Sequence, residues 1–153
     1  MATQTKSQPF FSGRFRHALD EKKRITVPSK WRAAKSDEFF LVPDPTNSFL
    51  LVLPPEEFKK VEQEARNNPA ITPQERREFI RHFYSNSHQC STDGQGRMLL
   101  PDDHCNQVGL KGGDVVMLIG SLSRIEIWNS KRWDKKAEQS QPTYKKVAEL
   151  VGL

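Results

Sequence analysis

"ALDEKKRITVP", Ala18–Pro28, and "STDGQGRMLLP", Ser91–Pro101, share one skeleton: an Asp, an Arg four residues on, a short apolar or Thr run, and a Pro. Asp20, Arg24 and Pro28 each precede their counterparts Asp93, Arg97 and Pro101 by 73 residues. A constant offset in a chain of 153 residues points to one unit built from two related halves.

The surrounding sequence supports this. Phe11, Gly13, Phe15, His17 and Leu19 alternate with Ser12, Arg14, Arg16 and Ala18, the two-residue period of a half-buried strand with arginines on one face. The turn "DEKK" leads to a second strand, "RITV", which Pro28 ends. Ser29 is expected to cap a short helix, "KWRAAK", anchored by Trp31. "EFFLVP" and "SFLLVLP" read as two strands around the tight turn "DPTN". Pro54 and Pro55 open a helix, "PEEFKKVEQEARNN", with Phe58, Val61 and Ala65 along one face.

A further helix, "TPQERREFIRHFY", has Thr72 as cap and Phe79, Ile80 and Phe83 as its expected buried stripe. The opening order then returns: strand "SHQCST", turn "DGQG", strand "RMLL", Pro101, helix "DDHCNQVG", strands "VVMLIG" and "IEIW", and helix "NSKRWDKKAEQ". Leu53 matches Trp128 and Phe58 matches Trp133 at an offset of 75, a drift that a two-residue loop difference explains. "QPTYKKVAELVGL" reads as a last amphipathic helix or a tail, and residues 1–9 as a flexible lead. The expected division is a first repeat at 11–58, a helical connector at 59–85, a second repeat at 86–133 and a C-terminal helix or tail at 134–153.

Charge sets the first 35 residues apart from the rest. Residues 1–35 hold nine Lys or Arg against Asp20 and Glu21, a net +7, so a chain total of +5 leaves −2 for the remainder. A basic end on a slightly acidic body suits an anionic partner such as nucleic acid. No apolar run approaches the ~20 residues of a membrane span, and no secretory leader is visible, so a cytoplasmic protein is expected. Two cysteines, Cys90 and Cys105, do not make a disulfide framework.

The Asp–Arg spacing has a physical use. An Asp opening a tight turn accepts backbone N–H groups, and an Arg four residues on can reach back to that carboxylate or outward to a phosphate. Gly94 and Gly96 give the second turn freedom at positive φ, whereas Glu21 and Lys23 hold those places in the first. If the two backbones match, Lys23 is left-handed at a cost of about 1 kcal/mol. The neutral turn at Asp93 and Arg97 reads as structural. The cationic set Arg14, Arg16, Lys22, Lys23 and Arg24 reads as a hairpin suited to DNA, with phosphate contacts for affinity and one or two Arg reading base edges.

"FSGRFRHALDEKKRITVPSKWR", "NPAITPQERREFIRHFYSNSHQCSTDGQGRMLLP", "VGL" at Val108–Leu110 and "VVMLIGSLSRIEIWNSKRW" together resemble the MraZ family of bacterial transcriptional regulators. The likeness runs from about Phe11 to Trp133. It implies an α+β, mainly β fold of two swapped-hairpin half-barrels of the SpoVT/AbrB type, forming a pseudo-dimer within one chain, with peripheral helices. It also implies a homo-oligomer, commonly an octameric ring, that binds repeated sites in double-stranded promoter DNA of the division and cell wall gene cluster, and hence a nucleoid-associated repressor. The family's motif residues fall on Asp20, Lys22 and Arg24, and on Asp93 and Arg97. Its usual Gly before the first Arg is Lys23 here.

Other chemistry finds less support. His82, His88, Cys90, His104 and Cys105 lack the spacing of a zinc site, so no metal and no cofactor are expected. "GLKGGD" precedes a strand and is no phosphate loop, and no nucleophile elbow marks an enzyme. An antitoxin-like protein-interaction module is the alternative, since the same architecture serves antitoxins that hold a toxin with an extended tail. The C-terminal stretch here is short and basic, which counts against it.

Overall fold

The computed structural model describes residues 10–34 and 36–153; the lead at 1–9 and Lys35 lie outside the described residues. Alternating segments form β1 (Arg14–Ala18), β2 (Arg24–Thr26), β3 (Glu38–Pro43) and β4 (Leu50–Leu53), followed by α1 (Pro55–Asn67) and α2 (Pro73–Ser85). The order then repeats as β5 (His88–Ser91), β6 (Arg97–Leu99), α3 (Asp102–Val108), β7 (Val115–Ser121), β8 (Arg124–Asn129) and α4 (Ser130–Leu150).

The strands exchange between halves. One sheet has the order β1-β7-β8-β4-β3-β5, and β2 pairs with β6 as a separate ribbon. Thus β1 and β2 of the first half pair with β7 and β6 of the second, while β5 pairs back onto β3. Exchanging the halves leaves this order unchanged, so a pseudo-twofold axis passes between β4 and β8 and between β2 and β6. Registers obey it: Arg24 opposes Leu99 as Arg97 opposes Thr26, and Leu50 opposes Ile127 as Ile125 opposes Val52. The fold is mainly β and an intrachain pseudo-dimer. Its six-stranded sheet stays open instead of closing into a barrel.

The offset between halves steps through the chain. It is 73 at the motifs, 77 where Phe39 faces Cys90 and Val116 faces His17, and 75 at β4 and β8. A longer helix α3 adds four residues and a shorter β7–β8 turn removes two.

Alternation sorts the sheet's side chains. Phe39, Leu41, Leu50, Val52, Val116, Leu118, Ile125 and Ile127 point inward to Ile25 and Met98 of the ribbon and to Cys105 and Val108 of α3. Each such residue contributes roughly 1.5–3 kcal/mol on burial. The outer face carries Val42 and Leu53 under Phe58 of α1. Ring contacts extend that second cluster, with Phe40 stacked on Phe58 at 4.0 Å and Phe83 of α2 at 5.0 Å.

Three local expectations change. Only a 3-10 turn, Ser29–Trp31, follows Pro28; Pro28 itself occupies the cap position, and no side chain caps the turn. Trp31 nevertheless anchors it, edge-on to Phe11 and Phe15 and donating from Nε1 to the Ser12 carbonyl at 3.1 Å. Helix α2 has the expected Thr72 cap, within a capping box closed by Glu75, but buries no residue completely, and Phe79 is 41% exposed. It packs mainly on α1, with Phe83 reaching the cluster of Val42, Leu53 and Phe58, and this contact leaves Phe79 largely uncovered. Lastly, α4 is continuous through Pro142. Proline at 142 removes one N–H that would bond back within the helix, and exposure of this stretch lets water satisfy the freed carbonyl.

Candidate nucleic-acid interface

Two equivalent turns join the sheet to the ribbon. In the first, the Lys23 N–H donates to the Asp20 carbonyl at 2.9 Å and the Asp20 N–H to the Arg24 carbonyl at 3.1 Å. Asp20 Oδ1 accepts the Arg24 N–H at 2.7 Å and Oδ2 accepts Arg24 Nε at 2.6 Å. In the second, Gly96 and Asp93 repeat the backbone pair at 2.9 and 2.8 Å. Asp93 Oδ1 accepts the Arg97 N–H and Oδ2 accepts Arg97 Nε, both at 2.9 Å. The Arg24 N–H above all, then its side chain, holds the Asp20 carboxyl below the usual range, and the Arg97 N–H does the same for Asp93.

This clamp decides what the arginines can do. Among the described residues only Nε of each guanidinium is engaged, which leaves the two Nη atoms as an oriented donor fork. The Asp orients the Arg without neutralising its outward edge. Both Arg24 and Arg97 sit on the ribbon where β2 meets β6, held by Ile25 and Met98 in the core beneath.

Lys23 has φ of 61° where Gly96 has 78°, so the left-handed residue is present. The Lys23 ammonium donates to Asp102 Oδ1 at 2.7 Å, and that bond raises its pKa. Asp102 opens α3, so this ion pair ties the first turn to the second half and offsets part of the backbone cost. Lys22 is exposed and, among the described residues, has no acid partner.

Arg14 and Arg16 are placed elsewhere. They share the outward face of β1 and line a hollow with Met117, Trp133, Asp134 and Ala137, Arg16 lying 3.8 Å from Asp134. The ribbon packs on the opposite face of the sheet. The structure therefore brings Lys22, Lys23 and Arg24 together and sets the two β1 arginines apart from them, because β1 and β2 enter different sheets.

His88 and His104 lie with ring centroids 6.1 Å apart, but among the described residues no three metal-binding side chains are placed to hold an ion. His104 Nε2 contacts the Asn86 carbonyl at 2.6 Å, and burial pushes the Cys90 thiol up to about 12 and Cys105 to about 11. Among the described residues no helix is long and apolar enough to cross a membrane.

Sequence reasoning missed Arg32, which lies against the second turn: a Cβ added at Gly96 would stand 2.3 Å from its Nη1. The hidden signal was the chain exchange itself, which sets a first-half side chain over a second-half turn.

Comparison with known proteins agrees with this duplication. The family model "MraZ protein, putative antitoxin-like" matches twice, at residues 10–79 and 83–152. The transcriptional regulator MraZ of Syntrophobacter fumaroxidans is 35% identical over 94% of this chain and 95% of its own length. Those of Natranaerobius thermophilus and Heliobacterium modesticaldum are 35% and 37% identical over 92% of this chain and 96% of theirs. With two matching halves, each carrying the clamped Asp–Arg turn, and full-length likeness to these proteins, the chain belongs to the MraZ family of transcriptional regulators.

Proposed function

We propose that this regulator is a repressor that binds double-stranded DNA at repeated sites in the promoter of the bacterial division and cell wall gene cluster, its own promoter included. The observation that carries the reading is the Arg24 fork, fixed at Nε by Asp20, with its Nη atoms unpartnered among the described residues. Preorganised guanidinium forks suit phosphate oxygens and the O6/N7 edge of guanine. Lys22 adds a phosphate contact beside it, Lys23 holds the turn in shape, and Arg14 and Arg16 on the far face of the sheet strengthen the positive field that steers DNA. We take residues 11–58 and 86–133 as the two repeats, with 59–85 and 134–153 as connector and C-terminal helix.

One turn with two or three cations binds weakly. In a homo-oligomer, an octameric ring in this reading, several turns engage adjacent repeats, and effective concentration turns modest contacts into tight binding. Such a protein resides in the cytoplasm at the nucleoid. A reporter driven by the region upstream of the gene tests the role: supplying the protein lowers expression, and unchanged or raised expression contradicts repression. Light scattering of the purified protein tests the ring.

A second reading is favoured by α4. Tyr144, Val147 and Leu150 on it and Val151 just beyond it are 46–77% exposed, an apolar surface suited to a protein partner such as a toxin. Stoichiometric copurification of a small protein with the intact chain, lost on removing residues 140–153, would establish it.

A further inference from the structure

We propose that Arg32, contributed by the first half, is a phosphate-binding residue of the second Asp–Arg turn, so that both turns of the chain carry an uncommitted cation. This rests on the DNA-binding reading above.

The two halves solve one packing problem in opposite ways. Position 23 in the first turn is equivalent to position 96 in the second, and position 32 to position 105, both at the offset of 73. In one place the left-handed turn residue is the long cation Lys23, and the small, buried Cys105 lies within its electrostatic reach. In the other the left-handed residue is Gly96, and the long cation Arg32 fills the space that a side chain there would need. The three nearest atoms to a Cβ at Gly96 all belong to Arg32: Nη1 at 2.3 Å, Cζ at 2.6 Å and Cδ at 2.8 Å. Size and charge have been exchanged across the pseudo-twofold axis. The second turn, neutral in its own sequence, therefore has a guanidinium laid over it.

The cations differ in what holds them. Lys23 is committed to Asp102. Arg32 has no acid or carbonyl partner among the described residues, and its Nε is buried without a hydrogen bond. Closing off a guanidinium nitrogen without an acceptor costs free energy. The guanidinium lies against Gly96 with its Nε unsatisfied, and the next residue, Arg97, is bonded through Nε alone among the described residues. Two guanidinium groups at one turn offer donors to phosphodiester oxygens. A purely structural Arg would be expected to bond a backbone carbonyl, as Arg76 bonds Ala65 at 2.8 Å and Arg132 bonds Val108 at 2.8 Å.

The test measures the affinity of the full chain for the duplex upstream of its own gene over a range of salt concentrations, in wild type, Arg32→Ala, Arg32→Lys and Gly96→Ala. Loss of one phosphate contact flattens the slope of log K against log salt by about 0.9 for each second turn engaged on the duplex. Arg32→Ala and Gly96→Ala are expected to show that change with several-fold weaker binding, and Arg32→Lys to keep the slope. Thermal unfolding of each variant confirms that it is folded; should Arg32→Ala fail to fold, Arg32→Gln replaces it. An unchanged slope in folded Arg32→Ala or Arg32→Gln, with wild type binding normally, overturns the role of Arg32 alone. Absence of specific binding by wild type overturns the DNA-binding reading itself.

Discussion

Asp20 grips Arg24 with both carboxylate oxygens, one on the backbone N–H at 2.7 Å and one on Nε at 2.6 Å, and Asp93 grips Arg97 in the same way. A guanidinium held at Nε is oriented yet keeps its terminal edge. Arg24→Ala should therefore weaken binding to the upstream duplex by tenfold or more while leaving circular dichroism and oligomer size unchanged. Fluorescence anisotropy beside light scattering checks this, and wild-type affinity in the variant would remove Arg24 from the interface.

Acid should act through the same carboxylates. Both are lowered by their bonds to the following Arg, so their contribution is complete above the unfolded pKa of about 3.9 and is lost as pH falls through the lower folded values. Asp20→Asn and Asp93→Asn together should flatten the acid limb of the Tm–pH profile below about pH 4. An acid limb as steep as that of wild type would show that other carboxylates dominate.

Lys23 sits at φ of 61° and is held by Asp102. Replacing Lys23 with Gly relieves a left-handed backbone cost of about 1 kcal/mol. It also forfeits a partly exposed ion pair, of a kind that contributes little. In wild type the pair offsets part of that gain. With Asp102→Ala already in place, Lys23→Gly should stabilise the protein, by up to about 1 kcal/mol in urea unfolding.

Trp31 joins the 3-10 turn to the first strand through Phe11, Phe15 and the Ser12 carbonyl. Trp31→Ala leaves a cavity under both rings and should cost about 3–5 kcal/mol. Conversely, ending the chain at Gln139 removes only the outer part of α4, where no residue is buried. Stability should change by less than about 0.5 kcal/mol.

Much of the fold was legible because two signals are local. The Asp–Arg–Pro skeleton marked the repeat, and two-residue alternation marked the strands. Lys23 in the left-handed region was foreseen by aligning one turn on the other. What stayed hidden depends on which strand pairs with which. Sequence adjacency grouped Arg14 and Arg16 with Lys22 and Arg24, but β1 pairs with β7 and faces α4, which separates them. The same exchange put Arg32 over Gly96, a contact spanning 64 residues that no local pattern encodes. The exposure of Phe79 was likewise invisible, since amphipathic spacing says that a face exists and not how much of it a neighbour covers.

The most direct measurement is binding of the purified full-length protein to the duplex upstream of its own gene, titrated in salt beside a random duplex of equal length. Selective binding to the upstream duplex, steeply weakened by salt, is the predicted result. Equal and weak binding to both would contradict the account, leaving a basic surface without a promoter to read.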